Sequence, residues 1–298
     1  MADKKPCTLK EVWHQAGQRL INAGCEGGTF EAEVMLRTLL GWERSQFFLQ
    51  LATIFPESLE QKLDGWIHAR IEGVPLQHLT GQQEFYGRSF VVSPHVLIPR
   101  PDTEILVESI LHQADSLSKR NSPLHFVDVG TGSGILAITL AAECPEWKVT
   151  AIDCSAEALM VAKINAERHG VGDRIQFLQG EWLMPLQASQ QKVDMVVSNP
   201  PYIPSIEVEK LDGEVKDYEP RLALDGGEDG LNPYRILLQQ IPQILRRPGY
   251  VAFEIGWDQG VAVTELVNAL SCVKNTKVIP DLAGRDRVVT FSMTDCES

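Results

Sequence analysis

A chain of 298 residues with 44% hydrophobic and 22% charged residues can build one large domain and a smaller one. Its net charge of −13 argues against a protein that grips duplex nucleic acid through a basic face of its own, and suits a basic protein partner or plain solubility. No apolar run of about 18 residues exists, so no membrane span is expected, and six cysteines without a C-x-x-C pair argue for reduced thiols, no zinc site and a cytoplasmic protein.

The opening M-A-D-K-K-P-C leads into an amphipathic pattern instead of an apolar signal core, so secretion is not expected. Thr8-x-x-Glu11 reads as a capping box before Leu9, Val12, Trp13, Ala16, Leu20 and Ile21 at helical spacing, with Gly24 as the stop. Further helices are predicted over 30–40, 45–52 and from Pro56 towards Ile71. Residues 1–80 are thus expected to form a small helical domain, with substrate or partner selection as its functional reading. Residues 81–104 read as a hairpin and linker, with a turn at Gly87-Arg88 and a stiff entry at Pro99 and Pro101. Asp102 or Thr103 then caps a helix running to about Lys119.

From Leu124 strand and helix alternate, which predicts that residues 105–298 form an α/β domain: a doubly wound, mostly parallel seven-stranded sheet. Strands are predicted over 124–129, 148–152, 174–178, 193–198, 249–255, 277–279 and 287–291. Helices are predicted over 135–143, 156–169, 231–246 and 259–270. The link D-L-A-G-R-D before the last strand is too short for a crossover, so that strand should run antiparallel.

The most informative stretch is V-D-M-V-V-S-N-P-P-Y at 193–202. A buried strand ends at Ser198-Asn199, and Pro200-Pro201 forbid further pairing or an immediate helix. The Asn199 side-chain carbonyl and the Pro200 carbonyl can each accept a hydrogen from a planar –NH2 group, and Tyr202 adds an aromatic face. Upstream, V-D-V-G-T-G-S-G joins a strand to a helix through Gly130, Thr131, Gly132, Ser133 and Gly134, letting backbone approach a ligand at a helix N-terminus. Ile135 stands where a dinucleotide fingerprint wants its third glycine. Asp153 ends the second strand, where an acid can accept both ribose hydroxyls of an adenosine, and Glu181-Trp182 follows the third, where an aromatic can flank an adenine.

Together these strand ends describe a pocket for an adenosine-containing cofactor and an –NH2 acceptor, the arrangement of S-adenosylmethionine-dependent methyltransferases. The segments E-F-Y-G-R-S-F at 84–90, L-I-P-R-P-D-T-E at 97–104, D-Y-E-P-R-L-A-L-D-G-G-E-D-G-L at 217–231 and G-R-D-R-V-V at 284–289 narrow this further. The whole chain resembles the peptide chain release factor glutamine methyltransferases of the HemK/PrmC type. The resemblance implies methylation of the side-chain amide of the glutamine in the Gly-Gly-Gln motif of class I translation release factors. It implies cofactor contacts from Gly130 to Gly134 and from Asp153, Trp182 and Asn199, and glutamine contacts from Asn199, Pro200, Pro201 and Tyr202. Asn199, Pro200 and Tyr202 would act at the reacting amide. Glu181 departs from the family, where Asp is more usual, so its reach to the adenine is left open. A monomer without metal or stable nucleic acid is expected. Two rival readings are an adenine-specific amino-methyltransferase acting on nucleic acid, which should carry a basic groove, and a non-catalytic adenosyl-ligand binding protein.

Overall fold

The structure, a computed structural model, describes residues 6–117 and 123–295. It falls into two units: Met1–Gln82 with Gly213–Tyr218, and Gln83–Asp212 with Glu219–Ser298.

The first unit is helical. Helix Leu9–Asn22 starts at Thr8, whose hydroxyl accepts from the Glu11 N–H at 3.3 Å while the Glu11 carboxylate takes the Thr8 N–H at 2.7 Å. Helix Gly28–Leu40 packs against it with little clearance: a Cβ on Gly28 would lie 2.8 Å from the Leu20 Cβ. Gly41, at φ 67°, ends that helix in the left-handed region. Helices Arg44–Leu49, Glu57–Ile71 and Leu76–Thr80 complete the bundle around Leu20, Met35, Leu36, Phe47 and Ile67. Gly213–Lys216 adds a further turn, where Glu214 pairs with Arg70 at 2.9 Å and Glu31 pairs with the same guanidinium at 2.8 Å.

The second unit opens with the hairpin β1 (Gln82–Phe85) and β2 (Arg88–Val91). Its turn falls at Tyr86-Gly87, one residue before the expected place, because both residues adopt positive φ, 49° and 68°, as a tight two-residue turn requires. Asn165 holds the hairpin from both sides, accepting from the Val91 N–H at 2.7 Å and donating to its carbonyl at 2.9 Å.

The main sheet comprises β3 (His125–Val129), β4 (Lys148–Asp153), β5 (Ile175–Gln179), β6 (Val193–Ser198), β7 (Leu245–Glu254), β8 (Val273–Pro280) and β9 (Asp286–Met293). Their order is β5-β4-β3-β6-β7-β9-β8, with β9 antiparallel to both β7 and β8 and the other pairs parallel. Side chains alternate between two cores. Phe126, Met195 and Val197 meet helices Glu104–Leu117 and Ile135–Glu143, while Val127, Val129 and Val196 meet helices Asn232–Ile244 and Gly260–Asn268. β7 starts four residues before the expected strand because Leu245 already pairs with Val193, with a register shift before Met195 meets Tyr250.

The helix from Glu104 is described to Leu117, so its expected end near Lys119 lies outside the described residues, as does Cys296. The expectation of reduced thiols needs correction at one position. Cys7, Cys25, Cys144 and Cys154 are free, but Cys272 is disulfide-bonded. The antiparallel β8–β9 pair returns the chain to that residue, where the Thr294 N–H donates to the Cys272 carbonyl at 3.0 Å, a proximity that cysteine spacing does not encode. No helix among the described residues is long and apolar enough to cross a membrane.

Candidate functional site

Strands β3, β4 and β5 progress in one direction across the sheet, while β6 and β7 progress in the other. The crevice at the carboxyl ends of β3 and β6 is therefore the topological switch point, where open α/β sheets bind ligands. Ser198 stitches this point together: its Oγ donates to the Val129 carbonyl at 2.7 Å. The glycine turn leaves from β3 and Asn199 from β6, so the fold brings the two sequence motifs face to face.

The turn is held by backbone and carboxylates. The N–H groups of Gly130 and Thr131 donate to the Ile152 carbonyl at 2.9 and 3.0 Å. The Gly132 N–H donates to Asp153 Oδ2 at 2.9 Å. Gly130, Gly132 and Gly134 sit at φ 73°, 55° and 86°, where any side chain is strained. Beneath them Asp128 Oδ2 accepts from the Thr131 hydroxyl at 2.7 Å and from the Ala137 N–H at 3.1 Å.

A cavity of about 590 Å³ opens above the switch point. Its wall includes Gly130, Thr131, Gly132 and Ser133, then Asp153 and Trp182, then Asn199 and Pro201. Three sequence-predicted residues stay outside that lining. Gly134 faces Ile138 and Ala162. Pro200 is buried, and the ring of Tyr202 packs partly buried on the second core with its carbonyl taken by Gln259 Nε2 at 2.9 Å. Tyr202 thus stands behind Asn199, and its ring does not face the cavity. Glu181 lines the wall beside Trp182.

Comparison with known proteins gives the family. A family model for the PrmC N-terminal domain matches residues 11–81, and one for the methyltransferase small domain matches residues 102–211. A release factor glutamine methyltransferase of Moorella thermoacetica is 44% identical over 284 residues, covering 94% of this chain and 96% of its own. The protein of that name from Bacillus subtilis is 39% identical over 282 residues, covering 95% and 96%. The chain belongs to the release factor glutamine methyltransferase family. Among solved structures, a methyltransferase from Pyrococcus furiosus superposes with TM-score 0.52 at 18% identity, over 71% of this chain and 91% of its own. The hMettl16 catalytic domain in complex with an RNA hairpin gives 0.55 at 17% identity, over 78% and 84%. At that identity both speak for the fold alone.

Members of this family are S-adenosylmethionine-dependent, and the residues present fit that cofactor. A Cβ added at Gly130 or Gly132 would meet nothing within 4 Å, so both positions open into free space. Asp153 takes the Gly132 N–H on one oxygen and the Ser155 N–H on the other, at 2.9 and 3.0 Å. A carboxylate has about four acceptor positions, so acceptor capacity for hydroxyl groups remains. Among the described residues no group of His, Cys, Asp and Glu is placed to hold a metal ion.

The walls contributed by the family-specific segments are tied together. Glu219, buried, accepts from the Ile98 N–H at 3.0 Å and from Arg100 at 2.5 Å, fastening segment 97–104 to segment 217–231. Asp225 takes the Ser205 hydroxyl at 2.6 Å and the Gly227 N–H at 3.0 Å, and these bonds lower its pKa. Two residues at the site escape the sequence reading. Thr103, read as a helix cap, instead accepts from Asn199 Nδ2 at 3.3 Å. Glu254, read as one more residue of a strand, is 1% exposed beside it, and burial raises its pKa to about 7. An acid inside the apolar run Y-V-A-F-E-I is the signal that could have revealed it, because buried charge is costly unless it is used.

Proposed function

We propose that this protein transfers a methyl group from S-adenosylmethionine to the side-chain amide nitrogen of the glutamine in the Gly-Gly-Gln motif of class I peptide chain release factors. The single observation that carries the reading is the placement of Asn199. It sits on the cavity wall at the sheet's switch point, with its amide NH2 spent on Thr103 and its carbonyl oxygen left to accept. The family relatives, named for this activity, support it.

An amide nitrogen is a weak nucleophile because its lone pair is delocalised into the carbonyl. The cofactor, when bound, supplies an electrophilic sulfonium methyl group. The chain's own task is then positioning, which is worth effective molarities of roughly 10⁵–10⁸ M when geometry is right. Asn199 Oδ1 accepts from the substrate amide and orients its nitrogen. Pro200 and Pro201 keep that acceptor stiff, since neither can re-enter a strand ladder or helix. Tyr202 buttresses the turn from the core side. Gly130 to Ser133, Asp153 and Trp182 hold the cofactor, Asp153 by its ribose hydroxyls and Trp182 by its aromatic face. No side chain is assigned as a general base, and water takes the amide proton. In the same reading residues 1–80 act as the substrate-recognition domain and residues 105–298 as the methyltransferase domain.

Incubation of the purified protein with labelled S-adenosylmethionine and a release factor tests this reading. Label should map to the Gly-Gly-Gln glutamine and vanish when that glutamine is replaced by alanine. Equal labelling of the replaced factor, or efficient labelling of adenine in DNA, would refute it.

A further inference from the structure

An asparagine amide has two nearly isosteric ends, and only one of them suits the proposed substrate. Presenting its oxygen, Asn199 accepts from an amide NH2; presenting its nitrogen, it repels one. What decides the orientation is the group on its other side. Asn199 Nδ2 donates to Thr103 Oγ1 at 3.3 Å, and Thr103 is fully buried at the start of the helix covering that face of the sheet. A threonine hydroxyl has one proton and two lone pairs, so it can serve as donor or acceptor towards Asn199. Thr103 accepts from Asn199 most favourably when its own proton has another acceptor, because a buried unpaired O–H is costly.

Glu254 is the group in position to be that acceptor. β6 and β7 are adjacent with Ser198 opposite Phe253, so Glu254 ends β7 beside the point where Asn199 leaves β6. Its carboxyl is buried with the hydroxyls of Thr103 and Tyr202 within hydrogen-bonding influence, while Oε2 has no hydrogen-bond partner. Arg287 and Asp102, ion-paired at 3.1 Å, are the charged groups acting on it. A buried acid with one unpaired oxygen is costly to keep for stability alone.

We infer that Glu254 is a positioning residue which, by accepting the Thr103 hydroxyl proton, fixes the Asn199 amide with its oxygen towards the substrate. The inference rests on the proposed amide methylation and adds to it the group that sets the polarity of the acceptor. Without Glu254 the Thr103 hydroxyl can donate to Asn199 Oδ1, the amide turns over, and the substrate meets an NH2 group. The Tyr202 hydroxyl acts on the same carboxyl, so both the asparagine and the tyrosine of the N-P-P-Y turn bear on Glu254.

The test is single-turnover methyl transfer at saturating cofactor and release factor for four variants. Glu254→Leu should lower the rate by about 10–100-fold, the range expected when a buried polar partner is removed. Cofactor affinity by calorimetry should be unchanged. Glu254→Gln keeps an acceptor oxygen and puts its NH2 where Oε2 already lacks a partner, so it should stay within about threefold of wild type. Thr103→Val deletes the hydroxyl at nearly constant volume and should lose as much as Glu254→Leu. The double variant Thr103→Val/Glu254→Leu should lose no more than the worse single one, because the two residues act through one chain of bonds. Losses that multiply, a wild-type rate in Thr103→Val, or a Glu254→Gln rate as low as that of Glu254→Leu would overturn the inference. Should Glu254→Leu fail to fold, Thr103→Val and Glu254→Gln still decide it. Failure of the wild-type protein to methylate the release factor at all would instead sink the proposed function.

Discussion

The Gly132 N–H donates to Asp153 Oδ2 at 2.9 Å, so the acid that ends β4 also shapes the glycine turn that follows β3. The other oxygen takes the Ser155 N–H at 3.0 Å, at the residue that caps helix Ala156–Arg168. One carboxylate therefore fixes two backbone segments lining the cavity and keeps acceptor capacity for a ligand.

Replacing Asp153 with alanine should weaken S-adenosylmethionine binding by about 1.5–3 kcal/mol, the usual worth of hydrogen bonds to a charged group. Calorimetry on the folded variant measures this directly. Unchanged affinity would return Asp153 to a purely structural role in the turn.

Two glycines of that turn should respond differently to alanine. A Cβ at Gly134 would lie 2.7 Å from Ile138 Cδ1 and 3.2 Å from the Ala162 Cβ, on top of a φ of 86°. Gly134→Ala should chiefly reduce stability, by roughly 1–3 kcal/mol from strain and overpacking. At Gly132 the added methyl meets nothing within 4 Å, so beyond the conformational cost it projects into open space at the cavity wall. Gly132→Ala should therefore lose proportionally more cofactor affinity than stability. Denaturant melts beside binding isotherms separate the two, and equal profiles would contradict the assignment.

Asp128 should make stability fall as pH rises. Its carboxyl is fully buried, Oδ1 has no hydrogen-bond partner, and burial raises the pKa from 3.8 to about 7. A carboxyl whose folded pKa lies above its unfolded value favours the folded state when protonated. Its contribution is intact below the unfolded value and is lost as pH climbs through the folded one. The loss is on the order of 4 kcal/mol for a shift of this size. Asp128→Asn keeps an acceptor for Thr131 and Ala137 and cannot ionise, so the stability difference between variant and wild type should shift towards the variant between about pH 4 and 7. A difference that stays flat across that window would show that Asp128 is charged in the folded protein.

Much of this architecture was legible in the sequence. The strand Val193–Ser198 and the helix Ile135–Glu143 fall where they were expected, because runs buried on both sides leave an unbroken apolar signal. The antiparallel final strand followed from a link too short to cross over. β8 was underestimated, at three expected residues against Val273–Pro280, because V-K-N-T-K lies along a largely exposed edge and carries little apolar pattern. Among site residues, Asn199, Asp153 and the glycine turn announce themselves by type and by position at strand ends. Thr103 and Glu254 do not, since Thr103 stands 96 positions before Asn199 and meets it only when helix and sheet close together, and Glu254 reaches the same turn from the neighbouring strand.

The central claim is that Asn199 orients a substrate amide for methyl transfer, and one measurement tests it most directly: single-turnover transfer to release factor by Asn199→Ala at saturating cofactor and protein substrate. Losing one preorganised polar contact of this kind should cost roughly 10²–10³ in kcat, with cofactor binding to the glycine turn still measurable. Asn199→Asp should also be severely impaired, because it loses the NH2 group that donates to Thr103 Oγ1. A rate for Asn199→Ala within a few-fold of wild type would reduce N-P-P-Y to a turn that ends a strand and contradict the account.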